Sequence, residues 1–234
     1  MCSKQVNTVS AYFNDNWQRY QNSVKNNTLY HQEMFAALDN FLNLNMKKPF
    51  SFVDVGCGDS STVAPILMNK TITKYIGIDE AKDVLKMSAA NLDALNFEKE
   101  FIADNMITAI SEVKAPVDII FTSYAVHHLN VEQKTNFIAE CKQKLHEDGF
   151  LLMVDCTLAG SQTRDEWLAA LKNRMKATIP HDNLDEIDIR MQHPSDADFP
   201  ESINTFANIA QQQAWKSFQV IVDKGIFSFM VFAK

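Results

Sequence analysis

The segment Val53-Asp54-Val55-Gly56-Cys57-Gly58-Asp59-Ser60 is where the sequence first offers chemistry. A short apolar run ends in a Gly-x-Gly bend, and a helix follows. Glycines turn tightly and let a ligand approach bare backbone. Amides at the start of the following helix suit a carboxylate or a phosphate, at roughly 0.3–1 kcal/mol per charge when exposed. A purely structural turn would use the same residues, so the neighbours decide. Asp79 closes the next strand, roughly 20 residues on, where an acid can hold ribose hydroxyls. It would serve equally as a helix cap ahead of Glu80 and Ala81. Loop and acid at this spacing favour a nucleoside cofactor.

The nicotinamide fingerprint needs a third glycine where Ser61 stands, so an NAD-type oxidoreductase is disfavoured. Asp54, Asp59, Asp79 and Asp104 also gather at strand ends. They would repel a pyrophosphate and attract a ligand carrying an ammonium and a sulfonium.

His127 and His128 follow the fourth strand, where a histidine could take a proton from an acceptor. Either could instead cap the next helix or touch the cofactor. Tyr124 could orient an acceptor or wall the pocket. His181 and His193 lie among Asp182, Asp188, Asp196 and Asp198. Their spacing matches no defined ligand pattern, so no metal is expected, and residues 181–201 read as a solvated loop ahead of a helix near Pro200. Cys57 and Cys156 read as small buried thiols rather than nucleophiles.

The elements that must hold these residues alternate. Leu29 to Leu44 is an amphipathic helix burying Leu29, Phe35, Leu38, Phe41 and Leu42. Strands are predicted over residues 50–56, 74–79, 100–104, 117–123 and 150–155. Helices fall between them at 60–69, with Pro65 in its first turn, and at 82–95. Asn130 with Gln133, and Thr163 with Glu166, are capping boxes. The first opens a helix burying Val131, Ile138, Cys141 and Leu145; the second precedes Trp167, Leu168, Leu171 and Met175. Strands alternating with helices imply right-handed crossovers and a mostly parallel α/β sheet. The tail differs: residues 218–223 and 226–232 flank Lys224-Gly225, an antiparallel hairpin.

With these features assembled, the chain resembles the class I S-adenosylmethionine (SAM)-dependent methyltransferases. Asp54-Val-Gly56-Cys-Gly58-Asp-Ser60 resembles that family's D/E-x-G-x-G-x-G loop, with Ser60 for the third glycine. The resemblance implies a Rossmann-like, doubly wound, seven-stranded sheet with SAM at the carboxyl ends of its strands. It places Asp54, Gly56, Cys57 and Gly58 at the methionine end, Asp79 on the ribose, Asp104, Asn105 and Met106 at the adenine, and Ser123 near the methyl site. It is similar to small-molecule members, with methyl passing to an O, N or C atom; His127, His128 and Tyr124 are the candidates for catalysis. The D/N-P-P-Y/F signature of nucleic-acid amino methylation is missing after strand four, although an RNA methyltransferase or a non-catalytic SAM-binding protein stays open. Tyr12, Phe13, Trp17 and Tyr20 would fold over the site as a lid, or pack on the sheet; Tyr12, Trp17 and Tyr20 are candidate acceptor contacts.

Composition agrees with one domain over 1–234: a helical cap over 1–48, then a core from 49 with a substrate-covering insert near 181–200. Its 46% hydrophobic and 22% charged residues are ordinary for a globular chain. Net charge is −7, which makes nucleic acid an unfavourable partner. The four cysteines form no C-x-x-C pair, and no apolar run approaches the ~20 residues of a membrane span. A cytoplasmic monomer or homodimer with a small-molecule acceptor is expected.

Overall fold

The computed structural model describes residues 9–179 and 185–234, with side chains from residue 17 onward and again from 186. Helices α1 (Val9–Lys25) and α2 (His31–Asn45) precede the first strand. Five parallel strands follow: β1 (Phe50–Val55), β2 (Ile72–Ile78), β3 (Glu98–Ile102), β4 (Val117–Ser123) and β5 (Leu145–Leu158). Between them lie α3 (Ala64–Leu67), α4 (Lys82–Leu92), α5 (Met106–Glu112), a 3-10 turn at Val126–His128, and α6 (Val131–Lys144). After β5 come α7 (Arg164–Thr178), α8 (Asp185–Ala197), β6 (Glu201–Ser202) and α9 (Ile203–Gln212). The hairpin β7 (Ser217–Asp223) and β8 (Phe227–Ala233) ends the chain.

The strand order is β3-β2-β1-β4-β5-β8-β7, with β8 antiparallel to both neighbours. The predicted seven strands are therefore present, and the count is corrected to eight. The two-residue β6 pairs in parallel with Thr157 and Leu158 at the far end of β5. β1 and β4 are adjacent at the centre, and chain order reverses between them. Open α/β sheets bind ligands at such a switch point.

Side chains alternate across the sheet, as strand geometry requires. Phe52, Ile119, Phe121 and Leu152 face Met34, Leu38, Leu92, Trp167 and Leu171 from α2, α4 and α7. Val53, Val55, Ile120, Leu151 and Met153 face Ala109, Ile110, Phe137, Ile138, Phe206 and Ile209 from α5, α6 and α9. Burial on both faces explains why these strands read as continuous apolar runs.

Both capping boxes form: Gln133 N–H donates to Asn130 Oδ1 at 2.9 Å, and Thr163 N–H to Glu166 Oε2 at 2.8 Å. Each cap is worth about 1 kcal/mol. Several boundaries move. The expected helix 60–69 shrinks to four residues because Ser60 takes a left-handed φ of 56° and turns follow it. The third strand starts two residues early, since Lys74 registers with Glu98. Gly149 lies inside an irregular stretch of β5, where Val117 pairs with Leu145 but Ile119 with Phe150. Val131, expected to be buried, is 48% exposed. The expected loop 181–201 is largely α8, which carries Pro194 near its end, and the next helix waits for a Ser202 cap. His181 and Asp182 lie outside the described residues.

Candidate functional site

β1 delivers the chain into its glycine bend at the carboxyl edge of the sheet. Gly56 has φ 72°, and a Cβ there would lie 2.6 Å from the Ala125 Cβ. Only glycine fits where this loop crosses the end of β4. Gly58 has φ 54°, and a Cβ there would meet the Trp17 indole at 3.3 Å. Ser60 also takes left-handed backbone, the position where the family loop has its third glycine. Its buried hydroxyl lies 2.9 Å from Tyr75 Oη and 2.6 Å from Ser88 Oγ, bonds that offset the backbone cost.

The loop amides are not free, contrary to the sequence expectation. Gly56 and Cys57 N–H both donate to the Ile78 carbonyl, at 2.8 and 3.0 Å. Gly58 N–H donates to Asp79 Oδ2 at 2.9 Å, and Ala81 N–H to Asp79 Oδ1 at 2.8 Å. The Asp79 carboxylate thus ties the glycine bend to the start of α4, and the residue also lines the cavity above. Burial pushes this carboxyl above the ordinary carboxylate range, with Glu80 adding to the effect and the two amides opposing it.

That cavity has a volume of about 290 Å³. Gly56, Cys57, Gly58, Asp79, Asp104, Asn105, Met106 and Ser123 all line it, as do Trp17, Tyr20, Tyr124 and His128. Asn105 caps α5 through Ile107 N–H at 2.9 Å and donates to Glu80 Oε1 at 2.7 Å. Asp104 accepts the Asn105 N–H at 2.6 Å. The carboxyl ends of β1, β2, β3 and β4 therefore each contribute, and the wall is acidic through Asp79, Glu80 and Asp104.

Asp54 does not line the cavity, which corrects its expected place. It lies beneath the loop, 2% exposed, and accepts from Tyr75 Oη at 3.0 Å. Burial pushes its carboxyl up to about 7; the Tyr75 bond opposes this and Asp79 adds to it.

A second cavity of about 110 Å³ is lined by Tyr20 and Tyr124, which also line the first. Its remaining walls are largely apolar, including Leu29, Trp167, Leu171, Met175 and Phe227. The Tyr124 ring forms the partition: φ at Tyr124 is 52°, and its hydroxyl donates to the Leu29 carbonyl at 2.7 Å. With that hydroxyl engaged, Tyr124 acts as a wall. Trp17 and Tyr20 of α1 cover the opposite side, and Gln21 Nε2 anchors that helix to Asp59 Oδ2 at 2.7 Å. Tyr12 lies outside the described side chains.

The two expected histidines part. His128 lines the first cavity, whereas His127 lines the second. His127 Nδ1 contacts Asp155 Oδ1, and Asp155 also accepts Val126 N–H at 2.7 Å, His127 N–H at 3.1 Å and Cys156 N–H at 2.7 Å. Burial alone would lower the His127 pKa, but Cys156, Asp155 and Asp198 together hold it well above the ordinary value. His127 thus faces Asp155 and the second cavity rather than the first.

The sequence reading missed Asp155 and His31, and named Asp198 only within an acidic stretch whose spacing matched no ligand pattern. Asp155 could have been found as the acid at the end of β5, the same sheet edge that carries Gly56, Asp79 and Asp104. His31, kept neutral by burial with its pKa lowered to about 4, packs 4.6 Å from the Tyr124 ring.

Comparison with known proteins gives a consistent likeness. A family described as a methyltransferase domain matches residues 52–149. An uncharacterized methyltransferase of Bacillus thuringiensis is 26% identical over 163 residues, covering 68% of this chain and 73% of that one. Among solved structures, magnesium protoporphyrin IX methyltransferase from Synechocystis PCC 6803, crystallised with bound SAH, superposes with a TM-score of 0.67 at 12% identity, over 97% of this chain and 98% of that one. The pyocyanin biosynthetic protein PhzM matches at a TM-score of 0.60 and 17% identity, over 86% of this chain. The present chain spans only 54% of that larger protein.

Proposed function

We propose that this chain, whose residues 52–149 belong to a methyltransferase domain family, is a class I SAM-dependent methyltransferase acting on a small, largely apolar acceptor. The observation that carries the reading is the pair of adjoining cavities. The larger has an acidic rim over bare glycine, and the smaller is mostly apolar, with Arg19, Arg190, His127, His193 and Asp198 also in its wall, and shares Tyr20 and Tyr124 with it.

The residues present fit the cofactor. Gly56 and Gly58 leave the loop without side chains, so a methionine moiety can lie on the backbone. With the amides occupied, the loop offers an ammonium carbonyl oxygens rather than N–H groups. Asp79 keeps lone pairs for ribose hydroxyls beyond its two amide bonds. Asp104, Asn105 and Met106 would border the adenine, with Cys57 and Ser123 along the wall. When bound, the cofactor supplies a methyl group already activated by its sulfonium.

The chain's own part is then to position and dry the acceptor. Tyr124 sets the partition, Trp167, Leu171, Met175 and Phe227 exclude water, and Trp17 and Tyr20 close the roof as a lid. His128 reaches the partition from the cofactor side and is the histidine best placed beside the reacting atoms. The acidic rim and the net charge of −7 disfavour an RNA acceptor.

Calorimetric titration with S-adenosylhomocysteine, SAM and NAD tests the reading. One equivalent of either sulfur nucleoside should bind and NAD should not. Absence of binding by both sulfur nucleosides would overturn it. Transfer of labelled methyl from SAM into small hydroxylated aromatics would then identify the acceptor class.

A further inference from the structure

We infer that His127, His128 and Asp198 form a binding site for a divalent transition-metal ion, between the two cavities. Three imidazole nitrogens surround one carboxylate oxygen. Asp198 Oδ1 lies 3.5 Å from His127 Nε2, 3.4 Å from His128 Nδ1 and 3.8 Å from His193 Nε2. These separations exceed the roughly 2.7–3.2 Å of an N–H···O bond. Donors about 2.0–2.1 Å from a tetrahedral ion stand about 3.3 Å from one another. The ligand atoms of His127, His128 and Asp198 therefore lie near the spacing of donors around an ion, with His193 farther out beside them.

A second observation points the same way. Asp198 is 5% exposed, and its Oδ1 is buried with no hydrogen-bond partner. A buried carboxylate oxygen left so is costly. Asp155 lies behind His127, itself buried. Among the described residues, the ion pairs of these two carboxylates are with histidines alone. The two buried carboxylates carry between them the charge that one divalent cation would balance.

The surroundings are built to hold the geometry. His127 Nδ1 contacts Asp155, which turns Nε2 toward Asp198. A carboxylate behind a ligating imidazole fixes its tautomer and raises its basicity. Phe199 N–H donates to the His127 carbonyl at 2.8 Å. Arg164 binds the Asp198 carbonyl at 2.7 Å and the Pro194 carbonyl at 3.0 Å. The buried Lys134 ammonium bridges the Leu129 and Phe199 carbonyls. His128 Nδ1 also lies 3.2 Å from the Ala197 carbonyl, a contact the ligating tautomer gives up. A second grouping, His127 with Asp155 and Cys156, is the weaker candidate because Asp155 already accepts three amides.

Two imidazole nitrogens and one carboxylate oxygen, with a fourth position left for solvent, suit zinc, or cobalt as its spectroscopic substitute. The inference does not depend on the methyltransferase reading for the existence of the site, only for its use beside the acceptor. Sequence spacing gave no sign of it because the ligands come from the turn after β4 and from the end of α8.

The test uses untagged full-length chain, stripped with chelator and titrated with zinc chloride alone and with cobalt chloride alone. One equivalent should bind and raise the melting temperature. Cobalt should give the visible absorption of a four-coordinate ion without the near-ultraviolet band of a thiolate ligand. Asp198→Ala and the milder His127→Gln should each weaken zinc at least about tenfold, and Asp155→Asn by roughly 10–100-fold. S-adenosylhomocysteine affinity, measured in parallel, reports that each variant is folded. Failure of the folded parent to bind either metal, a thiolate band, or affinity unchanged in Asp198→Ala and His127→Gln would overturn the inference. Zinc binding without nucleoside binding would leave it standing while refuting the proposed function.

Discussion

The Asp79 carboxylate accepts the Gly58 amide at 2.9 Å, joining the acid at the end of β2 to the bend at the end of β1. One side chain thus shapes the loop and faces the cavity. Asp79→Ala should lower S-adenosylhomocysteine affinity at least about tenfold, as expected for a lost charge-assisted bond of roughly 1.5–3 kcal/mol. Calorimetry reads the change; an unaltered dissociation constant would refute the ribose role.

The approach of Gly56 to Ala125 leaves no room for a methyl group. Gly56→Ala should lose roughly 1–2 kcal/mol to left-handed backbone and more to the overlap. Thermal unfolding should show a melting temperature several degrees lower, about 2–4 °C per kcal/mol for a chain of this size. An unshifted transition would mean that the two strand ends can separate freely.

Asp54 carries a pH prediction. Its folded pKa, raised to about 7 by burial, lies above the ordinary carboxylate value, so the folded state holds the proton more tightly. This contribution is complete below the unfolded pKa near 4 and is lost as pH rises through about 7, with a slope of at most about 1.4 kcal/mol per unit. Asp54→Asn should remove that slope, leaving the variant relatively more stable above pH 7 than below pH 4. Denaturant unfolding across pH 4–8 measures this, and parallel curves for parent and variant would contradict it.

Trp17 is the tryptophan that lines the first cavity, whereas Trp167 and Trp215 are core side chains. Saturating S-adenosylhomocysteine should change the emission of the parent, and Trp17→Phe should abolish most of that change. A response of equal size in the variant would place the ligand away from α1.

Much of this site is legible in the sequence because local rules set it. The β1 glycine bend and Asp79 lie one βαβ unit apart, and chain connectivity alone brings them to a common edge. Asn130 and Thr163 cap their helices through residues three positions away, which no tertiary contact need arrange. The cluster around Asp198 is different. It depends on α8 being a helix despite its acidic composition and Pro194, and on Arg164 and Lys134 gripping carbonyls about 30 and 65 positions further along the chain. The exposure of Val131 has the same origin: the helical period was right, but which residues face the sheet is decided by packing on α5 and α9.

Ser60 carries a consequence for how this protein can drift over generations. Its hydroxyl is shared with Tyr75 and Ser88, and Tyr75 in turn holds Asp54. Replacement by glycine would relax the backbone but take from the buried Ser88 hydroxyl its bond to Ser60 and leave Tyr75 bonded to Asp54 alone; alanine would lose the same bonds and keep the backbone cost. The four side chains form one buried hydrogen-bonded unit, so exchange at one position should cost less when its bonded neighbour is exchanged with it.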